Sequence, residues 1–256
     1  MGIINCTPDS FSDGGQSFTV DAAVTAGVRM VAEGAAWLDV GGESSRPGAA
    51  AVSEAEELHR TIPVIVALRA AGVRVPLSID TTKIAVARAA LNAGATAIND
   101  ISGGIDPALL ELAASTQCML ILMHRQGTAQ TMQHAPRYTD VVAEVTAFLA
   151  QQMAAAVRHG VQRGRLLADP GIGFGKSVAH NYALLRALPD LHAALNAPLV
   201  VGLSRKRFLA ASSGSAYPAP DAVGHALHAL IAPWCALLRV HDVAGTMVAV
   251  RAASSA

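Results

Sequence analysis

The chain has 256 residues, of which 52% are hydrophobic and 15% are charged. This composition excludes intrinsic disorder, and the length suits one domain with a large buried core. Lys plus Arg and Asp plus Glu each number 19, a balance that gives no support to binding of nucleic acid or of an anionic membrane surface.

The cysteines and the amino terminus bear on cellular location. Cys6, Cys118 and Cys235 fall in or beside predicted strands. Their odd number favours buried, reduced thiols of a cytosolic enzyme over a disulfide framework or a metal site. No uninterrupted apolar stretch reaches the roughly 18 residues of a membrane-spanning helix, and no charged leader precedes an apolar core. We therefore expect a cytoplasmic protein.

Eight short apolar runs alternate with alanine-rich intervals of helical length. The runs predict strands at Gly2–Ile4, Trp37–Val40, Val75–Asp80, Ala95–Asn99, Met119–Met123, Leu166–Asp169, Leu199–Leu203 and Cys235–Val240. The intervals predict helices at Val20–Ala32, Ser53–Ala71, Lys83–Asn92, Pro107–Ala114, Tyr138–His159, Val178–Leu188, Asp221–Ala232 and Val243–Ala253.

This alternation predicts an α/β fold, a single closed (β/α)8 TIM barrel over residues 1–256. Parallel neighbours need a crossover of a dozen or more residues, and strands buried on both faces are apolar throughout. Polar residues at the carboxyl ends of barrel strands are typical of catalytic sites, because all eight βα loops converge there. Each run ends in one: Asn5, Asp39, Asp80, Asn99, His124, Asp169, Ser204 and His241.

Glycine and proline concentrate in the loops after the first, second and sixth strands. The loops Asn5–Gly15 and Asp39–Gly48 also carry acids, hydroxyls, an arginine and a phenylalanine. Turn chemistry explains the glycines and prolines but not this mixture. The mixture suits mobile lids over a polar substrate.

The third glycine-rich segment, Asp169–Ser177, resembles a phosphate loop only superficially. A Walker A motif needs glycine where Pro170 stands, and a dinucleotide fingerprint needs glycine where Lys176 stands. Two interpretations remain open: a turn through which a flat ligand approaches Asp169, and a purely structural turn.

Taken together, these segments resemble dihydropteroate synthase, the folate-pathway family that joins a dihydropterin diphosphate to p-aminobenzoate and releases diphosphate. One such motif is weak evidence, whereas eight in register are highly specific. The matching segments, in family order, are Gly2–Gly15, Asp39–Gly48, Ser78–Thr81, Asn99–Gly104, Met123–His124, Asp169–Lys176, Gly202–Lys206 and Arg239–Asp242. The resemblance implies a transferase with small-molecule substrates, Mg2+ as cofactor and a homodimer formed through late helices.

The resemblance assigns the pterin to polar residues of six strand ends. A pterin presents a ring amide and an exocyclic amine side by side, a donor pair that a carboxylate such as Asp169 accepts in bidentate fashion. Asp80 and Asn99 would meet the other ring nitrogens, and Lys206 the carbonyl edge. Asp39 either joins them or simply holds the second loop. The remaining pterin residues are Met123, Phe174, Gly202 and Arg239.

The diphosphate is expected on the opposite side of the pterin. Arg239 and His241 alternate along the eighth strand and so face the same side, beside Asn5 on the first strand. The resemblance adds Asn5 as a ligand of Mg2+, which prefers oxygen donors. Ser45 and Arg46 complete the expected diphosphate contacts.

Other histidines receive structural interpretations. His124, at a strand end, is as often a satisfied structural residue as a ligand. The helix histidines lack metal-ligand spacing, and solvated faces are expected for them. They include His59, His159, His192 and His228.

The aminobenzoate contacts implied by the resemblance are Phe11, Ser45, Pro47, Lys206 and Arg207. Ser45 stands where the family usually has threonine, which predicts looser packing of the aminobenzoate. Arg207 stands where many members have serine; it either strengthens the carboxylate contact or points to solvent. The catalytic set that the resemblance implies is Asp80, Asp169, Lys206, Arg239, His241, Asp13 and Arg46.

Two rival functions fit the same fold. A methyltransferase-type pterin-binding domain would bind reduced folate without using diphosphate; the Thr7–Asp13 loop, Arg46 and Lys206 argue against it. A non-catalytic pterin-binding paralogue would have little use for the aminobenzoate residues.

The family usually has residues ahead of the first strand that close the barrel floor, and here that strand begins at Gly2. We therefore expect the floor to be open and the barrel to be less stable than a version extended upstream, without effect on the catalytic face.

Overall fold

The computed structural model describes residues 1–7, 19–44, 49–128, 131–132, 135–209 and 220–255. Its strands are β1 (Gly2–Asn5), β2 (Leu38–Gly41), β3 (Leu77–Asp80), β4 (Ala97–Asp100), β5 (Met119–Met123), β6 (Leu166–Asp169), β7 (Val200–Val201) and β8 (Leu237–Leu238). Its α-helices are α1 (Val20–Ala32), α2 (Glu54–Ala70), α3 (Ile84–Asn92), α4 (Pro107–Thr116), α5 (Val141–Arg158), α6 (Val178–Arg186), α7 (Leu188–Leu195), α8 (Pro220–Ile231) and α9 (Val243–Ser254).

The strands form a closed ring, which confirms the predicted barrel. Strands β1 to β6 pair in parallel in chain order, and β7 pairs with β8. A parallel bridge between Ala168 and Leu199 joins β6 to the β7 side, and a bridge between Gly2 and Val240 joins β8 to β1. The Ile3 amide completes this closure by donating to the Val240 carbonyl at 3.0 Å.

The two-residue period of each strand separates the core from the barrel interior. Outward-facing side chains such as Ile4, Val40 and Ile79 belong to the main core beneath the helices. Inward-facing side chains fill the lower interior, and this cluster contains Met1, Ile121, Leu167, Val200 and Leu237, packed against Trp37 and Met119. Inward-facing positions recur every two residues, and the last of them on each strand lie at the carboxyl face of the barrel.

The floor of the barrel holds a buried methionine. Met1 is only 7% exposed within the lower cluster, so its side chain fills part of the space that we expected to be open. The effect of upstream residues on stability stays a prediction.

The helix predicted at Val178–Leu188 is wrong at its end. The chain instead forms α6, which ends at Arg186, and a second helix, α7, which begins at Leu188. Pro189 has no N–H to donate to the Leu185 carbonyl four residues earlier, so a continuous helix would lose that hydrogen bond. It therefore ends one helix and fits the first turn of the next, where its missing N–H is not needed.

The expectation of buried, reduced thiols is met. The three cysteines are free; Cys6 and Cys118 are buried, and Cys235 is half-buried. Burial raises the pKa of the Cys6 thiol to about 12, so it stays protonated. Across the described ranges, no helix has both the length and the apolar character needed to cross a membrane.

His228, on α8, contradicts the prediction of solvated helix histidines. His59, His159 and His192 are exposed as predicted, whereas His228 is 1% exposed. Within the described residues, neither ring nitrogen of His228 has a hydrogen-bond partner. Burial, and then the neighbouring His225, lower the pKa of His228 to about 4. The folded state therefore holds this ring neutral.

We predict that His228 makes the fold sensitive to mild acid. Its pKa rises from about 4 in the folded state toward 6.5 in the unfolded state, so the unfolded chain binds the extra proton as pH falls through this window. Stability is complete above about pH 6.5 and should fall by on the order of 2 kcal/mol between pH 7 and pH 5. Urea unfolding at both pH values measures it.

The matched variant is His228→Leu, which keeps an apolar side chain in the site but cannot titrate. Its unfolding midpoint should lose less between pH 7 and pH 5 than that of the parent. An equal loss in both proteins would show that His228 does not contribute to acid sensitivity.

Candidate active site

Arg239 connects two buried carboxylates at the carboxyl face of the barrel. Its Nε lies 2.6 Å from Asp39 Oδ2, and its Nη2 lies 2.7 Å from Asp80 Oδ2. Burial by itself would lower the pKa of Arg239. The charges of Asp39 and Asp80 raise that pKa by more than burial lowers it, so the guanidinium stays charged. Burial raises the pKa of Asp80, and Arg239 opposes that shift.

Asp39 is fully buried beneath this face, and both of its oxygens accept hydrogen bonds. Oδ1 accepts from Ser78 Oγ at 2.5 Å, and Oδ2 accepts from Asn99 Nδ2 at 3.0 Å as well as from Arg239. This geometry favours a role in orienting Asn99 and Arg239 over direct contact with a pterin. Sequence reasoning left both that contact and a loop-holding role open.

Strand register turns three polar side chains toward the barrel interior. Asn5 pairs with Gly41, Gly41 with Asp80, and Asp80 with Asn99. Because paired residues of parallel strands point to the same side of the sheet, the side chains of Asn5, Asp80 and Asn99 all face inward near the carboxyl ends of their strands. Gly202 also lies at an inward position, where a Cβ would come within 3.4 Å of the Arg239 Cβ.

Asp169 ends β6 and begins the glycine-rich turn. Its Oδ1 accepts from the Gly171 amide at 2.7 Å. Burial raises the pKa of the Asp169 carboxyl, while Lys206 and the Gly171 amide lower it. Gly171 has a φ of +68°, and a Cβ there would lie 1.8 Å from the His124 carbonyl oxygen. Close approach between the two strand ends therefore requires glycine.

Lys206 faces Asp169 from the loop after β7. Its ammonium donates to the Ile172 carbonyl and lies 4.4 Å from the centroid of the Phe174 ring. Burial lowers the pKa of Lys206 to about 7, and Asp169 opposes that shift. Phe174 belongs to an apolar wall that also contains Met123, Met132 and Ile101.

Sequence reasoning missed Lys176 as a site residue. Lys176 is 3% exposed, and its Nζ lies 2.9 Å from His124 Nδ1 and 3.1 Å from the Phe174 carbonyl. In the sequence it served only to exclude a dinucleotide fingerprint. Lys176 lies in the glycine-rich turn that directly follows Asp169, a candidate site residue. That position could have identified it.

A second missed group anchors the start of the second loop. Lys83 Nζ lies 2.5 Å from Glu57 Oε2, a fully buried carboxylate, and also contacts Glu43. Arg60 Nη1 donates to the Gly42 carbonyl at 3.0 Å. These contacts tie the described residues of the loop to α2 and α3.

The expected diphosphate residues are only partly brought together. His241 Nδ1 lies 3.0 Å from Ser204 Oγ, whereas the Arg239 side chain contacts Asp39 and Asp80. Arg207 is exposed at the start of a helical segment, which favours the solvent-facing interpretation. The predicted positions Phe11, Asp13, Ser45, Arg46 and Pro47 lie outside the described residues.

The assembled site can hold a flat polar heterocycle. The site contains three cationic side chains and three carboxylates: Arg239, Lys206, Lys176, Asp39, Asp80 and Asp169. Each of these six groups shifts the pKa of at least one of the others. Charged donors and acceptors meet a ligand's polar edge, while the apolar wall packs against its face.

The chain is similar to known proteins over nearly its whole length. Residues 1–241 match the family model described as pterin binding enzyme. The dihydropteroate synthase of Mycobacterium leprae is 48% identical over 98% of this chain and 90% of its own length.

Solved structures of Xanthomonas albilineans dihydropteroate synthase agree with this assignment. The complex with 4-aminobenzoic acid superposes with a TM-score of 0.91 at 48% identity, covering 100% of this chain and 91% of that one. The complex with 7,8-dihydropteroate superposes with a TM-score of 0.88 at 46% identity and covers 100% of this chain. The chain belongs to the dihydropteroate synthase family of pterin-binding enzymes.

Proposed function

We propose that this chain condenses 6-hydroxymethyl-7,8-dihydropterin diphosphate with p-aminobenzoate, giving 7,8-dihydropteroate and diphosphate. The observation that carries the proposal is the set of three buried aspartates, Asp39, Asp80 and Asp169, together with the cations Arg239, Lys206 and Lys176 at the barrel's carboxyl face. The Xanthomonas relatives, with 4-aminobenzoic acid in one structure and 7,8-dihydropteroate in another, supply the substrate and product classes.

The pterin ring is assigned to the carboxylate side of the site. Asp169 accepts from the ring amide and the exocyclic amine, while Asn99 and Asp80 meet the remaining ring nitrogens. Lys206 donates to the carbonyl edge and packs on Phe174, which covers the ring with Met123. Asp39 contributes indirectly, since it orients Asn99 and Arg239.

The diphosphate is assigned to Asn5, His241 and Arg239, joined by Ser45 and Arg46 from the second loop. Within the described ranges, no group of three or more His, Cys, Asp or Glu side chains could hold a metal ion. That fits Mg2+, which commonly takes one or two protein ligands and completes its shell with substrate phosphates and water. Asn5 offers an amide oxygen for it. Bound Mg2+ would neutralise charge on the leaving diphosphate.

The reaction then needs little help from a general base. When diphosphate leaves, the pterin ring delocalises the positive charge at its exocyclic carbon, and the Asp80 and Asp169 carboxyl groups are in place to stabilise that charge. The aminobenzoate amine attacks this carbon and loses its proton afterwards. Exclusion of water matters, because water would otherwise take the place of the weakly basic amine.

We further propose a cytoplasmic homodimer in which each subunit is one barrel domain. Three free cysteines fit a reducing compartment. Leu230 on α8 and Val248 on α9 are 72% and 70% exposed, on two helices that pack against each other. Exposed apolar side chains on late helices are suited to a subunit interface.

The decisive test measures diphosphate release from the dihydropterin diphosphate with and without p-aminobenzoate. A synthase releases diphosphate in step with formation of dihydropteroate. Binding without turnover would favour a non-catalytic paralogue. Binding of a reduced folate in place of the diphosphate substrate would favour a methyltransferase-type domain.

Replacing Asp169 with asparagine should weaken pterin binding strongly. The amide oxygen of the asparagine can still accept from the Gly171 amide, so the turn keeps its shape, but the new NH2 group presents donors to the donors of the pterin. We expect a loss of about 2 kcal/mol, near 30-fold in the dissociation constant measured by calorimetry. Asp106→Asn, at the exposed start of α4, is the matched control. An unchanged constant in Asp169→Asn would remove Asp169 from the pterin site.

Binding of the two substrates should be ordered. The apolar aminobenzoate contacts implied by the family, Phe11 and Pro47, belong to different loops, so the pocket depends on pterin diphosphate and Mg2+ to organise both. A sulfonamide, which mimics aminobenzoate, should bind tightly only when pterin and diphosphate are present. Equally tight binding to the empty enzyme, measured by calorimetry, would show a preformed pocket.

A further inference from the structure

Lys176 has a buried ammonium group with a defined set of acceptors. Its Nζ lies 2.9 Å from His124 Nδ1, 3.1 Å from the Phe174 carbonyl and 3.4 Å from the His124 carbonyl. An ammonium group has three donors and no acceptor, so these contacts use its full capacity. Burial lowers the pKa of Lys176 to about 7, and Asp169 opposes that shift, so the three paired donors help to keep the ammonium charged.

The contact fixes the state of the His124 ring. A protonated Lys176 can only donate, so Nδ1 of His124 then accepts and the ring proton sits on Nε2. The ring packs edge-on against Phe148, with centroids 5.0 Å apart and planes at 89°. Burial and the Lys176 charge lower the pKa of His124 to about 3. His124 is therefore a neutral acceptor for the lysine.

Lys176 and Lys206 both bond to backbone carbonyls of the glycine-rich turn. Lys176 takes the Phe174 carbonyl, and Lys206 takes the Ile172 carbonyl. The Tyr138 hydroxyl donates to the Gly175 carbonyl at 2.8 Å. Three side-chain donors thus bond to three carbonyls of the turn within four residues.

The turn they fix begins at Asp169. Asp169 accepts a hydrogen bond from the Gly171 amide, which belongs to this turn. The Lys176 charge lowers the pKa of Asp169 and so favours its ionised form. Phe174, whose carbonyl Lys176 holds, carries the ring of the apolar wall. Loss of the Lys176 side chain would therefore disturb both the Asp169 carboxyl and the Phe174 ring, although Lys176 itself is buried.

We propose that Lys176 is a positioning residue for pterin recognition: held between His124 and the Phe174 carbonyl, it sets the glycine-rich turn so that Asp169 and Phe174 face the ligand. This inference rests on the proposed pterin role of Asp169. It assigns His124 a supporting role through Lys176 and no contact with the substrate.

The first test compares Lys176→Met with Lys176→Arg and with Tyr138→Phe, using 6-hydroxymethylpterin as the calorimetric probe. Lys176→Met keeps a chain of similar length without charge, and the dissociation constant should rise at least tenfold. Lys176→Arg keeps charge and donors and should recover part of that loss. Tyr138→Phe removes a neutral donor from the same turn and should change binding less than threefold.

The second test reads His124 directly, by nuclear magnetic resonance of the ring nitrogens in histidine-labelled protein. In the parent, Nδ1 should show the shift of an acceptor nitrogen and Nε2 that of a protonated one. In Lys176→Met the ring should titrate at higher pH, because the adjacent cation is gone. If Nδ1 of His124 carries the ring proton in the parent protein, the proposal is overturned, even if none of the variants folds.

Pterin binding by Lys176→Met within threefold of the parent would also overturn it, as would equal losses in Lys176→Met and Tyr138→Phe. The failure of the proposed function looks different. In that case the parent itself does not bind the pterin, while the resonances of His124 still report its contact with Lys176.

Discussion

The site depends on the pairing of buried carboxylates with cations that come from distant parts of the chain. Arg239 meets Asp39 and Asp80 across separations of 200 and 159 residues. Each buried ion alone would cost several kcal/mol, and pairing with good hydrogen bonds offsets that cost. Arg239 follows β8 and reaches Asp39 on β2 and Asp80 on β3 because the ring is closed between β8 and β1, so the site is complete only in the closed barrel. A change that opens the ring would leave uncompensated charges beneath the carboxyl face.

Strand periodicity explains how one barrel holds both a dry core and a charged site. Outward positions pack under the helices, and inward positions near the amino ends of the strands form the apolar lower cluster. The same inward series ends at Asn5, Asp80 and Asn99 on the carboxyl face. Apolar burial beneath the site excludes water, which strengthens every charge interaction above it. The low dielectric also explains why burial is the largest influence on the pKa of Asp80, Asp169 and Lys206.

The glycine-rich turn after β6 supports the structural one of the two interpretations that its sequence left open. Gly171 is required by the close approach of the His124 carbonyl, and Gly173, with a φ of +83°, leaves room for the Lys206 side chain. These are structural reasons for glycine. They also bring the turn close enough to two lysines for its carbonyls to be held, which gives Asp169 a rigid support. The structural interpretation of this turn is thereby confirmed, whereas approach of a flat ligand to Asp169 stays a prediction.

The sequence by itself determined the barrel, the ends of the first six strands to within two residues and most of the polar residues that meet at the carboxyl face; β7 and β8 end at Val201 and Leu238, before the predicted Leu203 and Val240. These features are local: a strand end is read from an apolar run and its next polar residue, and family motifs lie within short segments. It could not determine partners or burial. The fully buried position of Asp39, the Lys176–His124 contact and the burial of His228 arise from packing between elements that are far apart in the chain. The break between α6 and α7 was readable from Pro189, but the helix after it depends on packing. Tertiary structure decided these points because a side chain's solvent exposure and hydrogen-bond partner are set by neighbours that no local pattern contains.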